Sequence, residues 1–191
     1  LNAIITDFKV INFANSQWHY TNPIALNQGL YLIPITELFE LEIQLKSDLN
    51  KSKIQYSFNE KSNSFKEFTS GTVFSDETKR RFVKEFSYYN IYLEKVLKML
   101  SKTNPVAYIE TDYDIEFGRQ SSILFEDGTI TDGPNLLIEN IQLIFSENVS
   151  RPINRVLQKM GVIIDKDEID EFDSIGLRKY RRFWKDSTFL V

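Results

Sequence analysis

Between residues 109 and 117 the chain alternates, one residue at a time, between two kinds of side chain. Ile109, Thr111, Tyr113, Ile115 and Phe117 occupy the odd positions, and Glu110, Asp112, Asp114 and Glu116 the even ones. A helix would spread these carboxylates around its circumference, whereas a strand sends successive side chains to opposite faces. The pattern predicts a strand over 106–117, with the odd residues in a core and the four carboxylates on the other face. Carboxylates two residues apart on a strand are separated by about 7 Å and repel one another unless something positive meets them. Three readings are open on these residues alone. The strip could meet a basic protein partner, hold a divalent cation through two of its members, or form a solvated outer face.

The rest of the chain supplies partners for such a strand. Residues 1–34 read as a short strand or two, with turns at Thr21-Asn22-Pro23 and Asn27-Gln28-Gly29. Phe39, Leu41, Ile43 and Leu45 alternate with polar residues, which predicts a half-buried strand, although Thr36-Glu37-Leu38 could instead open a helix. Ile54, Tyr56 and Phe58 suggest an antiparallel partner for it. Phe82, Phe86, Tyr89, Leu93, Val96 and Leu100 recur at helical spacing and predict one long helix over 76–100, capped by Ser75 or Asp76. Further strands are expected at 121–125 and 136–145, with Asp127-Gly128 as a hairpin turn. Pro152 opens a short helix that Gly161 closes, and 167–175 forms a last one. The expected fold class is α+β: a mainly antiparallel β-sheet packed against one long helix and shorter C-terminal helices. It is read as a single domain over 1–191, with lobes 1–103 and 104–191 as a further division.

Several chemistries lack their residues. The 191-residue chain has no cysteine, which excludes disulfides, zinc–thiolate sites and thiol catalysis. Its single histidine, His19, excludes any site built on two imidazoles and is expected to be a packed or rim residue. No nucleophile elbow, phosphate-binding loop or dinucleotide fingerprint occurs among the 7 glycines. No apolar run is long enough for a membrane helix. No secretory signal is recognisable at the start, and an Ile-rich, Ala-poor composition suggests a low-GC bacterium. A cytoplasmic protein without cofactor or metal, and not an enzyme, is the expectation. The alternative is a carboxylate-dependent, metal-assisted hydrolase using the strip at 110–116.

Charge falls in blocks. Residues 1–103 carry 13 basic and 11 acidic side chains, 104–176 carry 5 and 15, and 177–191 carry 5 and 1. Such asymmetry suggests a charged partner surface. A second acidic cluster, Asp165, Asp167, Glu168, Asp170, Glu171 and Asp173, lies near the end of the middle block. It is no calcium loop, because its sixth position would be Asp170 rather than Gly and its twelfth Gly176 rather than Glu. The bases at 178–185 alternate with Tyr180, Phe183 and Trp184. They are read as partners of the acidic cluster rather than as a contact for nucleic acid.

Three segments together resemble a known group. Ala107-Tyr108-Ile109-Glu110-Thr111-Asp112-Tyr113 followed by Gly118-Arg119-Gln120-Ser121-Ser122-Ile123 is the first. The second is Pro152-Ile153-Asn154-Arg155-Val156-Leu157-Gln158-Lys159-Met160-Gly161-Val162, and the third runs from Asp170-Glu171-Phe172-Asp173 through Gly176-Leu177 to Arg181. As a set, covering 104–182, they are similar to immunity proteins of bacterial polymorphic-toxin and contact-dependent growth inhibition systems. The chain departs from their glycine-rich stretch at Asp114-Ile115-Glu116-Phe117, where partner choice could differ. The resemblance implies a stoichiometric inhibitor of a cognate toxin domain, a basic nuclease, with no catalysis of its own. Combined with the charge pattern, it makes Glu110, Asp112, Asp114, Glu116, Asp165, Asp167, Glu168, Asp170 and Glu171 the candidate partner-binding residues.

Overall fold

The first strand, β1 (Asn2–Asp7), passes directly into the first helix, α1 (Phe8–Gln17). Asp7 makes the change of structure, because its carboxylate accepts from the Val10 N–H at 3.1 Å and caps the helix. Val10, Ile11 and Ala14 then share one buried stripe with Trp18. This helix was not expected from the sequence. The computed structural model describes residues 1–49, 55–59, 64–68, 85–113, 117–140 and 151–180.

After α1 come β2 (Ile24–Ala25), a 3₁₀ turn (Asn27–Gly29), β3 (Leu30–Pro34) and α2 (Glu37–Leu49). The expected strand at 39–46 is therefore a helix. Thr36 Oγ1 accepts from the Phe39 N–H at 3.2 Å, and Glu37 and Glu40 lie in the first turn, at its positive dipole end. Phe39 and Ile43, four residues apart, satisfy a helix as well as a strand, and both are buried. β4 (Gln55–Asn59) exists, but it pairs with β5 (Ser64–Phe68) rather than with 39–46.

The single long helix is also corrected. Residues 76–84 lie outside the described residues, and the described helix, α3, runs only over Ile91–Leu100. Asn90 caps it, accepting from Tyr92 and Leu93 N–H groups at 3.0 and 2.9 Å. The Ser87 and Tyr88 N–H groups are bound by a carboxylate elsewhere in the fold, so the turn holding Phe86 and Tyr89 is not helical.

β6 (Val106–Tyr113), β7 (Phe117–Glu126) and β8 (Thr129–Asn140) form a meander. The Asp127-Gly128 hairpin stands as expected, with φ of 48° and 75° at its two central residues, values that suit Gly and are tolerated by Asp. The expected strand at 136–145 begins earlier, at Thr129, and its last residues lie outside the described ones. α4 (Pro152–Lys159), α5 (Glu171–Ser174) and a 3₁₀ turn (Leu177–Tyr180) follow. The expected cap of α4, Ser150, lies outside the described residues.

The protein thus mixes helix and strand, with five α-helices among the described residues. Its main sheet has six antiparallel strands in the order β2-β3-β1-β6-β7-β8. β1 pairs with β6, so this sheet is continuous between residues 1–103 and 104–191. Both faces are covered, so alternate residues of one strand enter two different cores. Ile4, Ile33, Val106, Tyr108, Ile123 and Phe125 meet α1, α2 and α3 on one face. Ala3, Ile5, Leu32, Ala107, Ile109 and Leu124 meet α4, α5 and the last 3₁₀ turn on the other.

Candidate functional site

The double covering of the sheet decides the fate of the acidic strip. Even-numbered residues of β6 point toward α1–α3, so Val106 and Tyr108 are fully buried and Glu110 sits beside them at 7% exposure. Glu110 Oε2 accepts from Ser87 N–H at 2.7 Å, and Oε1 accepts from Tyr88 N–H at 2.9 Å and the Tyr108 hydroxyl at 2.6 Å. These bonds pin the 85–90 turn to the sheet. Burial, reinforced by the neighbouring Glu110 charge, pushes the Tyr108 hydroxyl well above the usual phenol range.

Asp112 is exposed at the end of β6, and Arg119 stands opposite it in the register. Asp114 and Glu116 lie outside the described residues. β6 ends at Tyr113, which pairs with Gly118 of the antiparallel β7. A single strand over 106–117 with four carboxylates on one face is therefore not what the sequence builds. β6 carries two of them, one inside and one outside.

The second cluster divides in the same way. Asp170 is buried at the start of α5, where it accepts from Asp173 N–H at 2.9 Å and from Arg151 Nη1 at 3.1 Å. Glu171 is buried and accepts from Gln158 Nε2 at 2.6 Å, which ties α5 to α4. Glu110, Asp170 and Glu171 are thus buried and act as internal staples. The physical reason is that each meets donors in the fold at a place where water is excluded. Asp165, Asp167 and Glu168 are exposed, on the loop joining α4 to α5.

That loop is fixed by its backbone. Gln28 Nε2 donates to the Ile163 carbonyl at 2.7 Å while its Oε1 accepts from the Ile163 N–H at 3.0 Å. The Asp165 N–H donates to Ser174 Oγ at 2.9 Å, and the Glu168 N–H to the Asp165 carbonyl at 3.0 Å. Gln28 Nε2 also reaches Asp165 Oδ1 at 3.4 Å. Asp112 belongs to the other end of the molecule. β1 runs from Asn2, opposite Glu110, to Asp7, opposite Leu30, so the two acidic places are separated along the strands by about 17 Å.

Sequence reading missed the apolar part of this loop. Val162 is buried against α4 and α5, but Ile163, Ile164 and Ile169 are 73%, 48% and 77% exposed, on either side of the carboxylates. The signal was present as isoleucines set in a charged stretch, but Val162-Ile163-Ile164 reads equally well as a core run.

Other charged residues pair within the fold. Arg178 and Lys179 are exposed, and the remaining bases of the tail lie outside the described residues. Among the described residues, Arg151 meets Asp170. Asp132, buried on β8, draws Arg155 at 2.9 Å and Lys159 from α4, together with the Asn135 amide at 2.6 Å. Burial works against its ionisation, yet these bonds together hold its carboxyl below the ordinary range. His19 lies on the exposed rim, as expected. Its N–H donates to Glu42 Oε1 and Oε2 at 2.9 and 2.8 Å, and the Tyr20 N–H donates to Oε2 at 3.0 Å. Among the described residues, no group of three or more His, Asp or Glu side chains is placed to hold a metal ion. No helix among them is long and apolar enough to cross a membrane.

No family model matches the chain, and no curated protein or solved structure matches it either. The residues that carry the sequence resemblance can still be given physical roles. Arg155 and Lys159 hold Asp132, Gln158 holds Glu171, Asp170 caps α5, and Ile153, Val156 and Leu157 fill the core beneath α4. The similar segments describe how the C-terminal helices are fastened to the sheet.

Proposed function

We propose that this protein is an immunity-type inhibitor, which binds a cognate bacterial toxin domain one to one and neutralises it without catalysis. The target is a nuclease domain with a basic substrate groove, met in the bacterial cytoplasm. One observation carries the reading beyond the resemblance. Asp165, Asp167 and Glu168 are exposed on a loop whose backbone is already bonded to Gln28 and Ser174. Carboxylates displayed in this way compete with phosphates for a cationic groove, and their field accelerates encounter. Because the loop is ordered before binding, little conformational entropy is lost on association. Asp112, at the far end of the sheet, lies outside this contact.

The reading is tested by titrating the protein into an active candidate toxin domain, sought beside its gene, and following nucleic-acid cleavage. Complete inhibition at one equivalent is expected. D167K/E168K should slow association at least about tenfold, because rim charges act mainly on the on-rate. Full toxin activity in the presence of excess folded protein would refute the proposal.

A further inference from the structure

The isoleucines of the 163–169 loop lie outside both apolar cores of the fold. Val162 satisfies the local apolar core, and the loop is held by main-chain bonds and by Gln28, while Ile163 and Ile169 stand largely in water and Ile164 is half exposed. Three large aliphatic side chains exposed within seven residues, interspersed with carboxylates, have the make-up of an interface: apolar contacts inside a charged border. We infer that this loop docks a protein whose surface carries an apolar cleft bordered by Lys and Arg side chains. Ile163, Ile164 and Ile169 enter the cleft, and Asp165, Asp167 and Glu168 meet its basic border. The inference rests on the inhibitor reading and says where its affinity comes from.

Charge selects this occupant over the others. The loop sets three carboxylates against the single ammonium of Lys166. A second copy presenting the same loop would bring carboxylates against carboxylates, an arrangement that repels in a self-complementary contact. Anionic lipid headgroups and nucleic-acid phosphates are repelled for the same reason. A cationic protein surface with an apolar floor is attracted by both kinds of side chain. The two kinds also divide the work. Carboxylates set how fast the partner arrives, and buried isoleucines set how slowly it leaves.

The test uses the full chain and the same candidate toxin domain, with binding followed by stopped flow and dissociation by competition. I163S/I169S removes apolar surface that the free protein leaves in water, so its unfolding midpoint should match wild type. Its affinity for the toxin domain should fall at least about 30-fold, through faster dissociation. If wild type binds tightly and I163S/I169S binds just as tightly, the docking surface is wrong while the inhibitor reading stands. If wild type fails to bind a folded, active toxin domain, the inhibitor reading fails and the docking surface with it. A wild-type dimer in sedimentation that I163S/I169S converts to monomer would make the occupant a second copy and overturn the cationic partner.

Discussion

The Tyr108 hydroxyl donates to the Glu110 carboxylate at 2.6 Å, from two residues earlier on the same face of β6. With the Ser87 and Tyr88 N–H groups it gives this carboxylate three donors, and it makes an acidic residue part of the core. E110Q must turn an amide NH2 toward at least one of those donors. The variant should lose about 2 kcal/mol in urea unfolding, the scale of a buried polar group left unpaired. A loss under about 0.5 kcal/mol would mean that the 85–90 turn is not held in this way.

Helix α3 should depend on Asn90. Its side-chain oxygen accepts from the first-turn N–H groups of the helix, and its amide donates to Glu40 at 2.9 Å. N90A should cost about 1 kcal/mol, and N90S should recover most of it if the cap dominates. Equal losses in N90A and N90S would shift the weight to the Glu40 contact.

Acid should loosen the protein through Asp132 and Glu42. Burial opposes ionisation of both, but the bonds each carboxylate accepts prevail and hold it below its ordinary value. The unfolded chain then binds protons more readily than the folded one. The stability these two groups contribute is complete above their ordinary values of 3.8 and 4.5 and is lost as pH falls below them. D132N should cost about 2 kcal/mol at neutral pH, because the half-exposed Arg155 and Lys159 lose a charged hydrogen-bond acceptor. It should also flatten the acid limb of the stability curve. An unchanged acid limb in D132N would contradict this account.

Glu40 works in the opposite direction. Burial, the largest influence, raises its carboxyl above 4.5, with the Asn90 hydrogen bond opposing and the Glu37 charge adding. The folded chain binds this proton more readily, so stability falls as pH rises from 4.5 through the raised value. E40Q keeps an acceptor for Asn90 and should raise the thermal midpoint at neutral pH, with little change in acid. A lower midpoint at neutral pH would show that the charged form is the favoured one.

Gly133 should tolerate no side chain. Its φ is 90°, and a Cβ there would lie 2.7 Å from the Ser122 carbonyl oxygen on the neighbouring strand. G133A should cost about 2 kcal/mol or more, measured by thermal unfolding. A neutral G133A would mean that β7 and β8 can separate there without cost.

Much of the meander was legible because its signals are local. Asp127-Gly128 dictates a tight hairpin, and Pro152 with Ile153, Val156 and Leu157 marks α4 by composition and spacing. What misled was information held by partners distant in sequence. Phe39 and Ile43 fit two periods equally, and the cap at Thr36 decides for helix. The stripe through Phe86 and Tyr89 continues the spacing of α3, yet Glu110, more than twenty residues away, takes the N–H groups a helix would need. The same limit governed the candidate site. Alternation marked Glu110 and Asp112 as sharing a face, but only the covering of that face by helices shows which one stays in water. Nothing in the residue pattern separates Asp167 from Asp170, because the difference is the Arg151 guanidinium and the cap of α5.

The most direct test of the central claim is calorimetric titration of the wild-type protein into the toxin domain proposed as its partner, at about 0.05 M and about 0.5 M salt. The account predicts one-to-one binding with a nanomolar Kd at low salt that weakens at least about tenfold at high salt. No binding to a folded, active toxin domain, or an affinity indifferent to salt, would contradict it.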